Sequence, residues 1–118
     1  MTKKRKNIYP LTEKQFVNFL KFVSDNDEVF AVRCFLDEIE EGLSVDEILA
    51  GEKPDKSVIL LGNPDPYVVK VTKLDKFKFK IYFGCFPAPL AGDSGTWEVS
   101  FDEDGNVKNT IMVVHTII

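Results

Sequence analysis

The chain has 118 residues, of which 44% are apolar and 29% are charged, and its formal net charge is −4. This length predicts one domain, and ten Phe and one Trp supply enough apolar surface for an ordinary core. Four of the 15 basic residues stand together at Lys3–Lys6, so the rest of the chain carries 11 basic and 19 acidic groups. An acidic body disfavours binding to nucleic acid and favours a basic protein partner.

The amino terminus indicates a flexible basic tail over residues 1–10, followed by a single domain over residues 11–118. The basic residues have no apolar run behind them, so we expect no signal peptide. No stretch approaches the roughly 20 apolar residues that a membrane span needs. These features predict a cytoplasmic protein with no membrane partner. Cys34 and Cys85 belong to no CxxC pair, and we expect buried thiols rather than a disulfide.

The first half of the chain has the spacing and the caps of helices. Thr12 and Gln15 form a capping box, in which each side chain accepts a hydrogen bond from an unpaired backbone amide. The apolar stripe that follows has helical spacing: Phe16, Phe19, Leu20 and Val23. Asp27 is the predicted cap of a second helix that closes at Gly42. A second capping box, Ser44 with Glu47, predicts a short helix over residues 45–50.

The second half switches to the alternation of strands. After an apolar run at residues 58–61, a strand is predicted over residues 67–73, with a turn at Leu74 and Asp75. Aromatic and branched residues then alternate with lysines over residues 76–83. Residues 84–95 are rich in proline and predict a long loop. The strongest signal is a hairpin, in which Trp97–Phe101 and residues 107–118 flank an acidic Asp-Gly turn.

Helices followed by strands indicate an α+β domain. We expect the N-terminal helices to pack on one face of a four- to five-stranded antiparallel sheet.

Three motifs invite a chemical interpretation that their context does not support. Residues 92–95, Gly-Asp-Ser-Gly, match the letters around a serine-protease nucleophile, but no base is indicated beside the serine. The acidic turn from Asp102 lacks the Glu that an EF-hand loop needs at its twelfth position, which is Val113. His115, the only histidine, shares the predicted face of Ile111, Val113 and Ile117 and has no metal-ligand partners. We therefore expect no catalytic residue, metal ligand or cofactor.

Two charged groups of residues indicate surfaces. The lysines at positions 76, 78 and 80 form an outward face, which Glu98 and Asp102 would neutralise if the two strands are neighbours. Residues 25–52 hold ten acids and one base, Arg33. Carboxylates crowd the end of the second helix, where they oppose the helix dipole and repel one another. Such acids favour a basic partner, although a merely solubilising surface is the alternative.

Two resemblances accompany these patterns. The hairpin Gly95–Asp102 (GTWEVSFD), with Gly105 and Val107 behind it, resembles that of the nuclear-transport-factor-2-like and cystatin-like superfamily. That resemblance implies helices on a curved sheet around a small-molecule pocket, for which Tyr67, Tyr82 and His115 are the polar candidates. As a small acidic α+β domain without catalytic groups, the chain is also similar in kind to bacterial immunity proteins. Those proteins neutralise a basic toxin domain, often a nuclease.

Our leading hypothesis is a non-catalytic immunity or antitoxin-type protein whose acidic helical face blocks a basic toxin or nuclease domain. The loop after Gly84 would add apolar contacts. The residues assigned to this partner-binding surface are Asp37, Glu38, Glu40, Glu41, Asp46, Glu47, Phe86 and Leu90. The alternative is a pocket protein that binds or converts a small molecule.

Overall fold

Three helices precede a four-stranded antiparallel sheet in the computed structural model of the protein, which describes residues 7–50, 66–88 and 91–117. The helices are α1 (Glu13–Asn26), α2 (Phe30–Glu40) and α3 (Val45–Leu49). The strands are β1 (Tyr67–Asp75), β2 (Lys78–Ala88), β3 (Ala91–Phe101) and β4 (Val107–Ile117), and they pair in chain order. This arrangement confirms the predicted α+β class. The apolar run at residues 58–61 lies outside the described residues.

Helix α1 begins and packs as its sequence predicts. The Thr12 side chain accepts from the Gln15 amide at 3.1 Å, and the Gln15 side chain accepts from the Thr12 amide at 2.9 Å. The four residues of the apolar stripe are all fully buried, because their spacing turns one face of the helix toward the sheet. The packed part of the chain reaches further back, since Leu11 is buried and Ile8 packs against the core.

The predicted cap of α2 is wrong. The N-cap position is Val29, which has no side chain able to cap, and Asp27 instead accepts a hydrogen bond from the Trp97 indole at 3.2 Å. The first two amides of α2 donate to the carboxylate of Asp93, on β3. A side chain more than 60 positions away therefore performs the capping that local sequence was expected to supply.

The end of α2 and the start of α3 follow prediction, and α3 ends one residue before the predicted end. Gly42 has φ 102°, its amide donates to the Ile39 carbonyl, and the Leu43 amide donates to the Glu38 carbonyl. This pair of bonds is the Schellman motif, which needs a left-handed residue that glycine adopts without strain. Ser44 and Glu47 then form the second capping box and open α3.

The long loop predicted over residues 84–95 is wrong, because β2 and β3 continue through most of it. Ala88 pairs with Ala91, and Cys85 pairs with Asp93. The register shifts between these two pairs, and this irregularity accommodates Pro87, which has no amide to donate. Gly92 has φ 140°, and a Cβ there would lie 2.2 Å from the Cys85 carbonyl oxygen. Its lack of a side chain lets the two strands approach.

Strand β1 is also longer than predicted. It continues through the expected turn at Leu74, and Asp75 pairs with Lys78 across the tighter connection that follows.

The β3–β4 hairpin is confirmed, but β4 contains a bulge that changes the faces of its residues. Thr96 pairs with Val114, whereas Trp97 pairs with Met112, so one residue of β4 is left over. Because side chains alternate along a strand, the extra residue moves Ile111 to the face opposite His115. The predicted common face of His115, Ile111 and Val113 is therefore wrong. Ile111 is 54% exposed, whereas His115 lies beside Asp93 on the helix-covered face.

Aromatic side chains fill the space between the helices and the sheet. Phe35 of α2 contacts the rings of Phe16, Tyr67 and Phe83 edge-on, with centroids 5.1–5.5 Å apart. Phe19 of α1 meets Trp97 edge-on at 5.3 Å. Each such pair adds about 0.5–1.5 kcal/mol beyond the burial of its area. The inner face of the sheet is thus occupied by core residues.

Candidate functional site

Helix α2 crosses the sheet above one row of paired residues. In that row Tyr67 of β1 pairs with Cys85 of β2, which pairs with Asp93 of β3. Helix α2 contacts each residue of this row. At its start, the Phe30 and Ala31 amides donate to Asp93. Further along, Cys34 contacts Cys85, and Glu38 accepts from Tyr67. The row therefore fixes both the position and the direction of the helix.

Asp93 anchors the start of α2. Its Oδ1 accepts from the Ala31 amide at 2.8 Å, and its Oδ2 accepts from the Phe30 amide at 2.9 Å. Its Oδ2 also lies 3.0 Å from His115 Nε2. Asp93 is 3% exposed, so a carboxylate that would be unfavourable without partners is held by two amides, an imidazole and the positive end of the helix.

The middle of the row brings the two cysteines together. Neither cysteine is in a disulfide bond; Cys85 is buried, and Cys34 is partly exposed. A hydrogen bond from Cys85 lowers the pKa of the Cys34 thiol, against the opposing effects of burial and of the nearby carboxylates. The two thiols are unbridged as expected, but only Cys85 is fully buried, and nothing in the sequence indicates that the two side chains meet.

At the far end of the row, the Tyr67 hydroxyl donates to the Glu38 carboxylate. Burial, followed by this hydrogen bond and the neighbouring negative charge, raises the pKa of Tyr67 above its usual range. Glu38 is half-buried, and part of its carboxylate is committed to Tyr67. It therefore differs from the other acids assigned to the partner-binding surface.

The remaining assigned acids lie around the α2–α3 junction and are all exposed. We call them the acidic surface, and they are Asp37, Glu40, Glu41, Asp46 and Glu47. Helix α2 has no basic residue in its last turn. In the described parts of the chain, Lys78 forms an ion pair with Glu98 at 3.5 Å, and His115 Nε2 lies 3.0 Å from Asp93 Oδ2. Neither contact involves the acidic surface, and no described base forms an ion pair with it.

One acid of this surface has a local structural task. Glu47 accepts from the Ser44 amide at 3.0 Å in the α3 capping box, and the backbone hydrogen bond lowers the pKa of Glu47. The other oxygen of its carboxylate leaves room for a further interaction, because the side chain is at the surface.

The two apolar residues assigned to the surface have different outcomes. Phe86 is half-buried in β2 rather than in a loop, and its amide donates to the Pro66 carbonyl at 2.9 Å. Leu90 lies outside the described residues.

The lysine face is confirmed in part. Strands β2 and β3 are neighbours, and Glu98 forms the expected ion pair with a lysine of this face, Lys78, although its register partner is Lys80. Asp102 instead accepts from the Asp104 and Asn106 amides within the hairpin turn, each at 2.9 Å.

The polar residues suggested for a small-molecule pocket do not converge. Tyr67 and His115 lie on the inner face of the sheet, whereas Tyr82 lies between buried Ile81 and Phe83 and therefore points to the outer face. There it borders a shallow cavity of about 300 Å³ with Lys70 and Lys80. A second cavity, of about 290 Å³, lies between α1 and α2 and is lined by residues that include Asp27, Phe30 and Arg33.

The protease-like letters and the acidic turn acquire structural roles instead. Asp93 does contact His115, but Ser94 is the next residue along β3 and points to the opposite face. A serine in that position cannot reach the imidazole. Among the residues that the structure describes, no group of three or more His, Cys, Asp or Glu side chains is arranged to hold a metal ion. The described helices include none long and apolar enough to cross a membrane.

Comparison of the chain with protein-family models, with curated proteins and with solved structures gives no match. Any functional conclusion therefore depends on the residues themselves.

Proposed function

We propose that this protein is a stoichiometric binding protein that blocks a basic protein partner through the acidic surface of α2 and α3. The observation that carries the proposal is the concentration of exposed carboxylates at a helix end whose last turn has no basic residue and where no described base forms an ion pair with them. Carboxylates at the C-terminal turn of α2 oppose the helix dipole, so they reduce local stability. A basic partner would relieve that repulsion and gain charge-assisted contacts.

The fold supplies a rigid base for such a surface. Asp93 holds the start of α2, Glu38 holds its far end to Tyr67, and the apolar side of the helix contacts the aromatic core. A helix fixed in this way loses little conformational freedom on binding, which favours affinity. This is the kind of surface that a toxin-neutralising immunity protein needs, and a cytoplasmic toxin or nuclease domain is the partner class that we propose.

The experiment begins with capture of partners by the tagged full chain from its source cells at low salt, followed by purification of each captured protein. Affinity is then measured for the wild type and for Asp37→Asn/Glu40→Gln/Glu41→Gln. Glu38 is left unchanged because its carboxylate accepts from Tyr67. A control variant, Glu13→Gln/Glu103→Gln/Asp104→Asn, removes the same number of exposed charges elsewhere.

We expect the α2 variant to bind at least about tenfold more weakly, mainly through slower association and with a smaller salt dependence. The control variant should bind within about twofold of the wild type, because distant surface charges are screened. The α2 variant should melt no lower than the wild type, because the carboxylates that it removes oppose the helix dipole. Equal affinities for the α2 variant and the wild type would refute the proposal.

Small-molecule binding remains the second proposal, although its polar candidates lie on two faces of the sheet. A small ligand that raises the melting temperature of the wild type, but not that of His115→Ala, would favour it.

A further inference from the structure

Two hydrogen bonds fix where Cys34 lies over the sheet. Ala31 is held to Asp93 on β3, and Glu38 is held to Tyr67 on β1. From Ala31 to Glu38 the helix rises about 10.5 Å. From Asp93 to Tyr67 there are two interstrand spacings, or about 9.6 Å. These lengths agree, and the two bonds reach β3 from one part of the helix and β1 from the other, so α2 runs across the strands.

Cys34 is the residue of α2 that this geometry places above the middle strand. It follows Ala31 by three positions and about 4.5 Å of rise, which is close to one interstrand spacing of about 4.8 Å. The residue beneath it is Cys85, which pairs with both Tyr67 and Asp93. The hydrogen bond between the two thiols agrees with this registration.

The two cysteines differ in access. Cys34 is partly exposed and lies on the helix, whereas Cys85 is 2% exposed and lies beneath it. A reagent from solution therefore reaches Cys34 first. Cys85 then lies close enough to attack a mixed disulfide formed on Cys34. The hydrogen bond from Cys85 lowers the pKa of Cys34 and so favours the nucleophilic thiolate, while the carboxylates of Asp37, Glu38 and Asp93 act in the opposite direction.

We propose that Cys34 and Cys85 form a dithiol modification site, which a low-molecular-weight disulfide such as glutathione disulfide converts to an intramolecular bond between α2 and β2. The Cys34 thiolate attacks one sulfur of glutathione disulfide, forming a mixed disulfide and expelling one glutathione thiolate. The Cys85 sulfur then attacks the Cys34 sulfur and expels the second. The two cysteines lose two electrons and two protons, and glutathione disulfide becomes two molecules of glutathione.

This site does not depend on the proposed function, because it concerns the inner side of α2 and requires no partner. Its effect would be to tie the helix that carries the acidic surface covalently to the sheet. The bond closes the chain from Cys34 to Cys85, and long closed loops of this kind stabilise the folded state against the unfolded chain.

The test incubates the folded full chain with glutathione disulfide at mildly alkaline pH and then blocks remaining thiols with N-ethylmaleimide under denaturing conditions. Intact mass and peptide mapping identify the product. We expect the wild type to take up no maleimide and to yield a linked Cys34–Cys85 peptide. Cys85→Ser should stop with one glutathione on Cys34. Cys34→Ser should remain unreacted while folded and take up one maleimide after denaturation, because Cys85 is buried.

Three results would overturn the proposal: a wild type that keeps glutathione on Cys34 as its final product, one that links only between chains, and one that does not react. Each is read from the wild type alone, so the conclusion does not require that either serine variant fold.

Discussion

Asp93 should be among the most sensitive positions for stability, because it replaces a cap that α2 lacks in its own sequence. The substitution Asp93→Ala removes the acceptor of two backbone amides and the partner of His115. Hydrogen bonds to a charged group contribute about 1.5–3 kcal/mol each, and removal of a helix cap alone lowers stability by about 1 kcal/mol. We therefore expect a loss of about 3 kcal/mol.

Such a loss is a large part of the roughly 5–15 kcal/mol that stabilises a domain of this size. Urea unfolding, followed by tryptophan fluorescence, measures it through Trp97, which is fully buried. Asp93→Asn keeps an acceptor for one of the two amides, so we expect about half the loss. Amide hydrogen exchange should accelerate at Phe30 and Ala31 in both variants.

Asp37→Ala is the matched control, because it removes a carboxylate from an exposed position of the same helix. Its effect should stay within about 0.5 kcal/mol of the wild type. If Asp93→Ala lowered the free energy of unfolding by no more than this control, the capping role of Asp93 would be refuted.

Three further predictions concern single contacts. Asp27→Ala should lower the free energy of unfolding by about 1 kcal/mol, since it removes one hydrogen bond from Trp97, and a loss equal to that of Asp93→Ala would restore Asp27 as the cap. Gly42→Ala should lower the free energy of unfolding by roughly 1 kcal/mol, because Gly42 has positive φ but open space around it. Gly92→Ala should lower it several times as much, or abolish folding, because an added Cβ would also meet the Cys85 carbonyl oxygen. Equal melting temperatures for the two variants would contradict this. Tyr67 has a raised pKa in the folded state, so its stabilising effect is complete below the unfolded pKa of about 10 and is lost as pH rises above that value. In urea unfolding at increasing alkaline pH, the free energy of unfolding should therefore fall less steeply for Tyr67→Phe than for the wild type. Identical pH profiles for the two proteins would contradict this prediction.

The local parts of the fold could be predicted because their causes lie within a few residues of one another. The capping boxes at Thr12 and Ser44 need only a partner three positions away, and both form. The apolar stripe of α1 predicts which face of that helix is buried, and the alternation from Phe79 to Phe83 predicts the buried face of β2. The β3–β4 hairpin follows from its Asp-Gly turn.

The errors occurred where a distant residue or a shift of register decides the outcome. The prolines at positions 87 and 89 predict a loop that includes Asp93, and the place of Asp27 just before α2 predicts a cap there; the structure contradicts both. The irregularity near Pro87 lets both strands continue. One extra residue in β4 reversed the face of Ile111 relative to His115. Neither the irregularity near Pro87 nor the extra residue of β4 can be predicted from one strand alone, because each depends on how two strands pair.

The sequence by itself determined that the chain makes helices and then strands, and that its acids concentrate near the end of α2. Only the tertiary structure decided which groups meet: Asp93 with the start of α2, Glu38 with Tyr67, and Cys34 with Cys85. The physical reason is that the rise of a helix over seven residues matches two interstrand spacings. The match brings these groups together only when α2 lies across the sheet.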